Sequence, residues 1–318
     1  MPTSFNKCTF SSLVNKVTNT IIILNYCDAE RTYSLAKNIE SYQCIDHIVI
    51  VDNASPDGSF KKLQEMLLFN ESNGAADLEK ADKKIAIIQS PENWGYAKGN
   101  HYGISYAYRH FSPDLILIAN PDVSFSEKTV SAVSDALSKN PGFGVIAPLV
   151  RRGRNAWRLP GYIGVLESLF LFWFNLDKAM IRCAILRDKR ALIPIGVVEG
   201  SFFGISMKAY KDIHGFDRST FLYGEEIMLS YRLHSKGYKI GILKDFYYDH
   251  LHSASIKKEY GSSKARAFTN MEASFRIFLT KYLHASKLKM RLFDLCCRLA
   301  FFERLAYDKA MGILVQLR

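Results

Sequence analysis

Leu115-Ile116-Leu117-Ile118-Ala119-Asn120-Pro121-Asp122 decides the fold. The apolar run has Pro113 on one side and Asn120-Pro121 on the other, and turn chemistry at both edges marks a buried strand, not a helix. Thr20 to Leu24 and His47 to Val51 are two more continuous β-branched runs, ending in Asn25-Tyr26 and in Asp52-Asn53-Ala54-Ser55. Continuous apolar strands belong to parallel sheets with helices on both faces, and helical patterns follow each run. Ile85 to Gln89 and Phe143 to Leu149 supply further strands, and the polar stretch Asn70 to Lys84 reads as an exposed connection. The fold class is α/β. Asp122 then lies at the carboxyl end of a strand, where open α/β sheets bind ligands, and is placed to hold a cation.

Five further motifs occur in order. They are Asp52-Asn53-Ala54-Ser55-Pro56-Asp57-Gly58-Ser59, Asn93-Trp94-Gly95-Tyr96-Ala97-Lys98-Gly99-Asn100, Gly215-Phe216-Asp217, Phe221-Leu222-Tyr223-Gly224-Glu225-Glu226 and His250-Leu251-His252-Ser253-Ala254-Ser255. With Asn120-Pro121-Asp122 they resemble, over about residues 18 to 258, the family 2 inverting glycosyltransferases, in particular bacterial rhamnosyltransferase-like members. The resemblance implies a GT-A fold: a central, mostly parallel sheet flanked by helices, here with a C-terminal helical extension. Three positions depart from the family pattern. Asn120 stands where many members carry the first Asp of an Asp-x-Asp pair, Glu226 where many carry Asp, and Met228 replaces a frequent acid.

The residue chemistry suits a nucleotide-sugar substrate. A departing nucleoside diphosphate gains negative charge, which needs a divalent cation or fixed positive charge. Asp122 and His250 are the candidate ligands, with His252 the nearer competitor to His250. A carboxylate with an imidazole suits Mn²⁺ as well as Mg²⁺, so the metal stays open. Asp52 at a strand tip is placed to accept hydrogen bonds from a base or ribose, since Asp57 and Ser59 are better placed to cap the following helix. The resemblance puts Asn25 and Tyr26 beside the base. Asn93 and Asn120 join the expected donor site, Gly95, Gly99 and Asn100 would let the backbone approach the nucleotide, and Lys98 would contact phosphate at a glycine-bearing helix N-terminus.

Glu225-Glu226 opens an amphipathic helix running to Gly237. Acids at a helix start complement its dipole, but adjacent like charges also raise one carboxyl pKa, which suits a general base. The resemblance makes Glu226 that base and Glu225 the residue that orients the acceptor or the base. Glu199, Gly200 and Ser201 are expected on the acceptor side.

Length and composition limit the alternatives. A chain of 318 residues, 48% hydrophobic, can bury a catalytic core plus an appended element. Its six cysteines lack C-x-x-C spacing, so neither zinc nor a disulfide framework is indicated, and a reduced cytoplasmic setting fits. The first seventeen residues lack an apolar signal core, and the apolar stretch Gly161 to Leu176 is too short for a membrane span and contains Glu167. The net charge of +11 is localised: residues 151–190 hold nine basic residues against three acids, and residues 264–318 eleven against four. Both segments interleave this charge with apolar stripes. The stripes Phe268/Met271/Phe275/Phe278/Tyr282 and Leu288/Leu292/Leu295/Leu299/Phe302 either pack on the catalytic part or dock on anionic lipid at the inner face of the cell membrane. No motif for nucleic acid accompanies the charge.

A nucleotidyltransferase would want a glycine-rich loop after its first strand, and Ile21 to Ala29 has no glycine. Gly142-Phe143-Gly144-Val145-Ile146-Ala147 has dinucleotide-binding spacing but precedes its strand. A non-catalytic sugar-binding relative is countered by retention of Asp122, Glu226 and His250. The expected organisation is a nucleotide-sugar-binding half (18–150), an acceptor and catalytic half (151–262) and basic C-terminal helices (263–318). The expected activity is metal-dependent inverting transfer from a UDP- or dTDP-sugar to a saccharide, with a lipid-linked surface-polysaccharide intermediate the favoured acceptor.

Overall fold

In the computed structural model, which describes residues 17–69, 84–251 and 264–316, the apolar runs become adjacent parallel strands. β1 (Asn19–Asn25), β2 (His47–Asp52), β3 (Ile85–Gln89) and β4 (Leu115–Ala119) lie in the order β3-β2-β1-β4. Their sequences are continuously apolar because both faces are covered. Ile21, Ile23, Ile48 and Ile50 pack with Leu35 and Ile39 of α1 (Ala29–Glu40) and Leu63 of α2 (Ser59–Phe69). Ile22, Val49, Val51 and Ile116 meet Ala97, Ile104 and Ala107 of α3 (Gly95–Phe111). Full burial of such a side chain stabilises by roughly 1.5–3 kcal/mol, so this slab is a firm base for the loops at the strand ends. The chain order reverses between β1 and β4, which opens a crevice beyond their carboxyl ends.

The remaining strands make the sheet mixed. After β5 (Val123–Phe125) and α4 (Glu127–Lys139), β6 (Phe143–Val150) leads through β7 (Ala156–Trp157), α5 (Tyr162–Ser168), α6 (Leu171–Arg187), β8 (Leu192–Ile195) and β9 (Val197–Val198) to β10 (Phe202–Ser206). β10 inserts antiparallel between β4 and β6. Then α7 (Met207–Asp212) and α8 (Glu225–Ser235) precede β11 (Lys239–His250), which runs parallel to β6 and antiparallel to β5 and β8. Residues on both sides of position 150 therefore build one sheet. The longest apolar stretch is divided between α5 and α6. Among the described residues, no helix is long and apolar enough to cross a membrane. The polar connection after Asn70 lies outside the described residues up to position 83.

The two C-terminal stripes have different fates. In α9 (Lys264–Ile277) and the π-helical turn Phe278–Tyr282, Phe268, Phe275 and Phe278 are buried in a third core with Val165, Ile227 and Met228. Lys281 and Tyr282 also bond Asp217, the lysine at 2.8 Å. Burial would raise the Asp217 carboxyl, but these donors and Ser219 outweigh it and hold it well below the usual range. That stripe is a packing element. In α10 (Lys287–Gln316), by contrast, Phe293, Cys297 and Ala300 face this core, while Leu288, Leu292, Leu295, Leu299 and Phe302 are exposed.

Candidate active site

The crevice is a cleft of about 710 Å³ that gathers Asn120, Asp122, Glu199, Gly200, Ser201, Glu225, Glu226 and His250 on its walls. Asn120 and Asp122 leave the end of β4, and the Asn120 amide bonds the Ser201 carbonyl at 2.9 Å, joining that turn to the start of β10. The β5–β11 ladder pairs His250 with Val123, which sets the imidazole beside Asp122. His250 Nε2 lies 3.3 Å from Asp122 Oδ1, and both side chains are largely buried. Burial alone would raise the Asp122 carboxyl, but the hydrogen bond and positive charge of His250 prevail and hold it below the usual carboxylate value. Burial opposes charging of His250 as well, yet the Asp122 bond and charge raise its pKa.

The donor set at this pair fits a divalent cation. One carboxylate and one imidazole abut on the cleft wall, leaving the rest of a coordination shell to ligand phosphates and water, as Mg²⁺-type sites commonly arrange. Among the described residues no three His, Cys, Asp or Glu side chains form a closed ligand set. The competitor His252 lies outside the described residues.

Glu225 and Glu226 are presented by an unusual turn. Tyr223 and Gly224 adopt left-handed φ values of 70° and 82° in succession, which folds the chain sharply into α8. A β-carbon on Gly224 would also meet Ser274 of α9 at 3.1 Å. Glu225 is 3% exposed, its Oε1 is buried without a hydrogen-bond partner, and burial plus the neighbouring Glu226 push its carboxyl well above the ordinary value. Glu226 is half-buried. Its Oε1 accepts from the Gly200 amide at 3.1 Å, which partly offsets the upward push of burial. The Gly200 carbonyl in turn accepts from Tyr96 Oη, and a β-carbon on Gly200 would lie 2.7 Å from that hydroxyl and 3.0 Å from Glu226 Oε1. Glycine is thus required for the carboxylate to reach this amide. Ser201 bonds Tyr248 at 2.7 Å below the cleft, and Glu199 keeps a buried Oε2 without a hydrogen-bond partner.

The expected nucleotide residues form a separate cluster. Asp52 is fully buried, and its oxygens accept from Asn25 Nδ2 at 2.7 Å, the Ser55 amide at 3.1 Å and Gln89 Nε2 at 3.2 Å. Asn25 is buried with it, also accepting from Thr32, while Tyr26 is half-buried at the end of β1. These bonds lock the ends of β1, β2 and β3 together; neither Asp52 nor Asn25 lines the cleft.

Protein atoms surround the glycines that open α3. A β-carbon on Gly95 (φ +68°) would sit 1.9 Å from the Phe221 carbonyl oxygen, and one on Gly99 would sit 2.7 Å from Leu24 Cδ1. At both glycines the missing side chain lets protein elements meet. The α3 N-terminus is likewise occupied: the amides of Trp94, Gly95 and Tyr96 bond Asn53 Oδ1, Asn93 Oδ1 and the Phe221 carbonyl. Lys98 is exposed and away from the cleft, and Asn100 is buried with its Nδ2 bonded to the Tyr96 carbonyl at 3.0 Å.

Three residues carry structure that sequence reasoning did not assign. Asn53 joins the β2 turn to α3 through Asn93, Gly95, Ser90 and Trp94, and its place inside the Asp-Asn-Ala-Ser motif was the available signal. Tyr96, inside the second motif, props Gly200. Lys178 lines the cleft with its Nζ 4.4 Å from the Trp157 ring centre and 4.5 Å from that of Phe174, and no local motif marks it.

Comparison with known proteins agrees with this architecture. A family profile for Glycosyl transferase family 2 matches residues 21–213. The low-salt glycan biosynthesis hexosyltransferase Agl10 of Haloferax volcanii is 24% identical over 262 residues, covering 81% of this chain and 71% of that protein. An N-acetylglucosaminyl-diphospho-decaprenol L-rhamnosyltransferase of Mycobacterium tuberculosis is 30% identical over 133 residues, 39% of this chain and 43% of that protein, so the chain matches less than half of that enzyme's length. Among solved structures, the mannosyltransferase PcManGT from Pyrobaculum calidifontis, in complex with GDP-Man and Mn²⁺, superposes with a TM-score of 0.56 at 14% identity, over 96% of this chain and 82% of that one. GalNAc-T7 with UDP, GalNAc and Mn²⁺ gives 0.54 at 13% identity, over 85% and 57%. The fold is that of the GT-A glycosyltransferases, and the chain belongs to glycosyl transferase family 2.

Proposed function

We propose that this glycosyltransferase moves a sugar from a UDP- or dTDP-sugar, with inversion and with a divalent metal, to a hydroxyl of a lipid-linked saccharide. The observation that carries this reading is the sharing of one cleft by the Asp122–His250 pair and by Glu226, whose Oε1 is held by the Gly200 amide. Glu226 takes the proton of the acceptor hydroxyl as that oxygen bonds to the anomeric carbon. The bond from that carbon to the donor diphosphate breaks on the opposite side, its electron pair leaving with the diphosphate, so an α-linked donor yields a β-linked product. A Mn²⁺ or Mg²⁺ ion held by Asp122 and His250 would offset the charge that develops on the diphosphate. Glu225, kept neutral by burial, orients the acceptor alongside Glu199, Gly200 and Ser201. Residues 18–150 serve the donor, 151–262 the acceptor, and the Asp52 cluster shapes the loops against which the nucleotide lies. The Mn²⁺ in two structural relatives and the diphospho-decaprenol acceptor in one relative's name support the cofactor and acceptor classes.

Incubation with UDP- and dTDP-sugars and Mn²⁺ or Mg²⁺, with early products followed by proton NMR, tests the reading. Metal-dependent release of nucleoside diphosphate with a β-configured initial product is expected. An initial product that keeps the donor's own anomeric configuration would overturn inversion, and absence of both binding and turnover with every donor would overturn the donor class.

The outward stripe of α10 supports a peripheral site at the cytoplasmic face of the membrane. Leu288 and Phe302 are 76% and 67% exposed, and Arg291 and Arg298 lie exposed along the same stripe. Each basic side chain near an anionic surface contributes about 1 kcal/mol. Salt weakens this, because the Debye length shrinks from about 10 Å at 0.1 M to about 3 Å at 1 M. The protein is expected to sediment with anionic liposomes at low salt and to be released at high salt, and a variant with Lys287, Lys289, Arg291 and Arg298 changed to Gln to remain in the supernatant. Equal sedimentation with neutral and anionic liposomes would remove the membrane role.

A further inference from the structure

One end of the cleft does not suit a sugar. Beyond the acids, its wall is formed by Trp157, Trp173, Phe174, Leu176, Met180 and Phe275. Trp173 and Met180 are each 51% exposed as well as lining the cleft, so the apolar lining continues onto the outer surface of α6. Apart from the two indole N–H groups, these side chains offer a saccharide little hydrogen bonding and present a surface suited to hydrocarbon.

Lys178 stands within this apolar wall. Its Nζ lies over the Trp157 and Phe174 rings, a cation–π arrangement that fixes the ammonium in place. Among the described residues no carboxylate or carbonyl accepts a hydrogen bond from it. The neighbouring cations are otherwise engaged: Arg158 pairs with Asp177 at 3.6 Å, and Arg154 donates to the Asn175 carbonyl at 2.8 Å. Glu199 and Glu226, which line the same cleft, attract the Lys178 ammonium. Burial disfavours its charged form and outweighs those acids. A half-buried ammonium with open donors is a costly feature unless an anion completes it.

We infer that this end of the cleft binds the anionic linker and the hydrocarbon chain of an amphiphilic acceptor: a diphosphate accepts hydrogen bonds from Lys178, and the chain leaves over Trp173, Leu176 and Met180. This rests on the reading of the acceptor as lipid-linked and assigns that reading its subsite. The kinds of group lining the cleft match the parts of such a molecule. The sugar hydroxyl meets Glu226, the phosphates meet Lys178, and the chain runs along α6 to the surface.

Binding of farnesyl diphosphate, farnesol and inorganic pyrophosphate to the full chain, followed by tryptophan fluorescence, tests the assignment, because Trp157 and Trp173 both line the subsite. Farnesyl diphosphate is expected to bind at least about tenfold more tightly than either fragment, the scale of one hydrogen bond to a charged group. Lys178→Gln should erase the preference over farnesol, Lys178→Arg should restore it, and Trp173→Ala should weaken both farnesyl compounds together. Thermal unfolding of each variant separates loss of the subsite from loss of the fold. Wild-type protein that binds farnesyl diphosphate no better than farnesol would overturn the subsite, as would a Lys178→Gln defect confined to UDP with Mn²⁺. Nucleotide-sugar turnover measured on the same wild-type protein keeps the two readings apart. Turnover without the farnesyl diphosphate preference removes the subsite alone, and absence of turnover removes the donor reading.

Discussion

Glu226→Gln lowers sugar transfer at least about a hundredfold, the scale of a lost general base, while donor affinity stays near that of the wild type. Glutamine keeps the shape of the side chain and can still accept from the Gly200 amide, so the local fold is retained. What disappears is the basic oxygen that takes the acceptor proton. The choice between the two adjacent acids follows from their surroundings. Glu225 is buried with an oxygen that no donor satisfies, and both burial and its neighbour's charge favour its neutral form. Glu226 is more open to the cleft, and an amide stabilises its charge. When one proton is shared between them, Glu225 carries it. Glu225→Gln should therefore be milder, since burial and the Glu226 charge favour the neutral form of the residue it replaces. Burial still raises the Glu226 carboxyl above the usual glutamate value. A base works only when deprotonated, so transfer should fall as pH drops through that raised value, giving an acid limb above the range of a free glutamate. Steady-state transfer rates of both variants across pH check this, and a larger loss in Glu225→Gln than in Glu226→Gln would move the base to Glu225.

The strands that frame this site were legible because their chemistry is local. β3 and β4 match the apolar runs Ile85 to Gln89 and Leu115 to Ala119, β1 extends by one residue at each end, and β2 and β6 extend by one residue. Proline, asparagine and glycine mark the ends of these runs. The antiparallel insertion of β10 between β4 and β6 was not legible, since pairing direction depends on where the intervening α5–α6 excursion returns the chain. The C-terminal stripes show a related limit. Phe268/Phe275/Phe278 and Leu288/Leu295/Phe302 have similar periodicity, yet one is buried and the other faces outward, because α10 carries a second apolar face, Phe293/Cys297/Ala300, that packs inward.

In the site, the motifs pointed to residues that share one cleft. Asp122 meets Glu225, Glu226 and His250 in one cleft although more than one hundred residues of chain separate it from them. Gly95 and Gly99 were read as making room for a ligand, but the atoms that need the room are Phe221 O and Leu24 Cδ1. A glycine states that something approaches closely, and sequence alone does not say what. Lys178 was counted only as part of a basic segment; its meaning comes from Trp157 and Phe174, which only the fold brings around it.

Asp122→Ala abolishes the metal-dependent part of donor binding. Asp122 is the carboxylate at the β4 end and the partner of His250, so its removal leaves an imidazole alone to hold a divalent ion that prefers oxygen donors. Neutral Asn120 offers no substitute charge. Calorimetry with the nucleoside diphosphate, with and without Mn²⁺, measures the difference directly. Asp122→Asn controls for folding, because the amide keeps a hydrogen-bonding group beside the buried imidazole that alanine would strand. Protons should compete with the ion in the wild type. The Asp122 pair raises the His250 pKa, and an imidazolium cannot ligate a metal. Metal-dependent affinity should therefore strengthen as pH rises through that raised value and level off above it. Asp122 itself, held below the usual carboxylate pKa by His250, stays ionised over the same interval and contributes no second step. Unchanged Mn²⁺-dependent affinity in Asp122→Ala would move the cation elsewhere in the cleft, with Glu199 and its unpartnered buried oxygen the next candidate ligand.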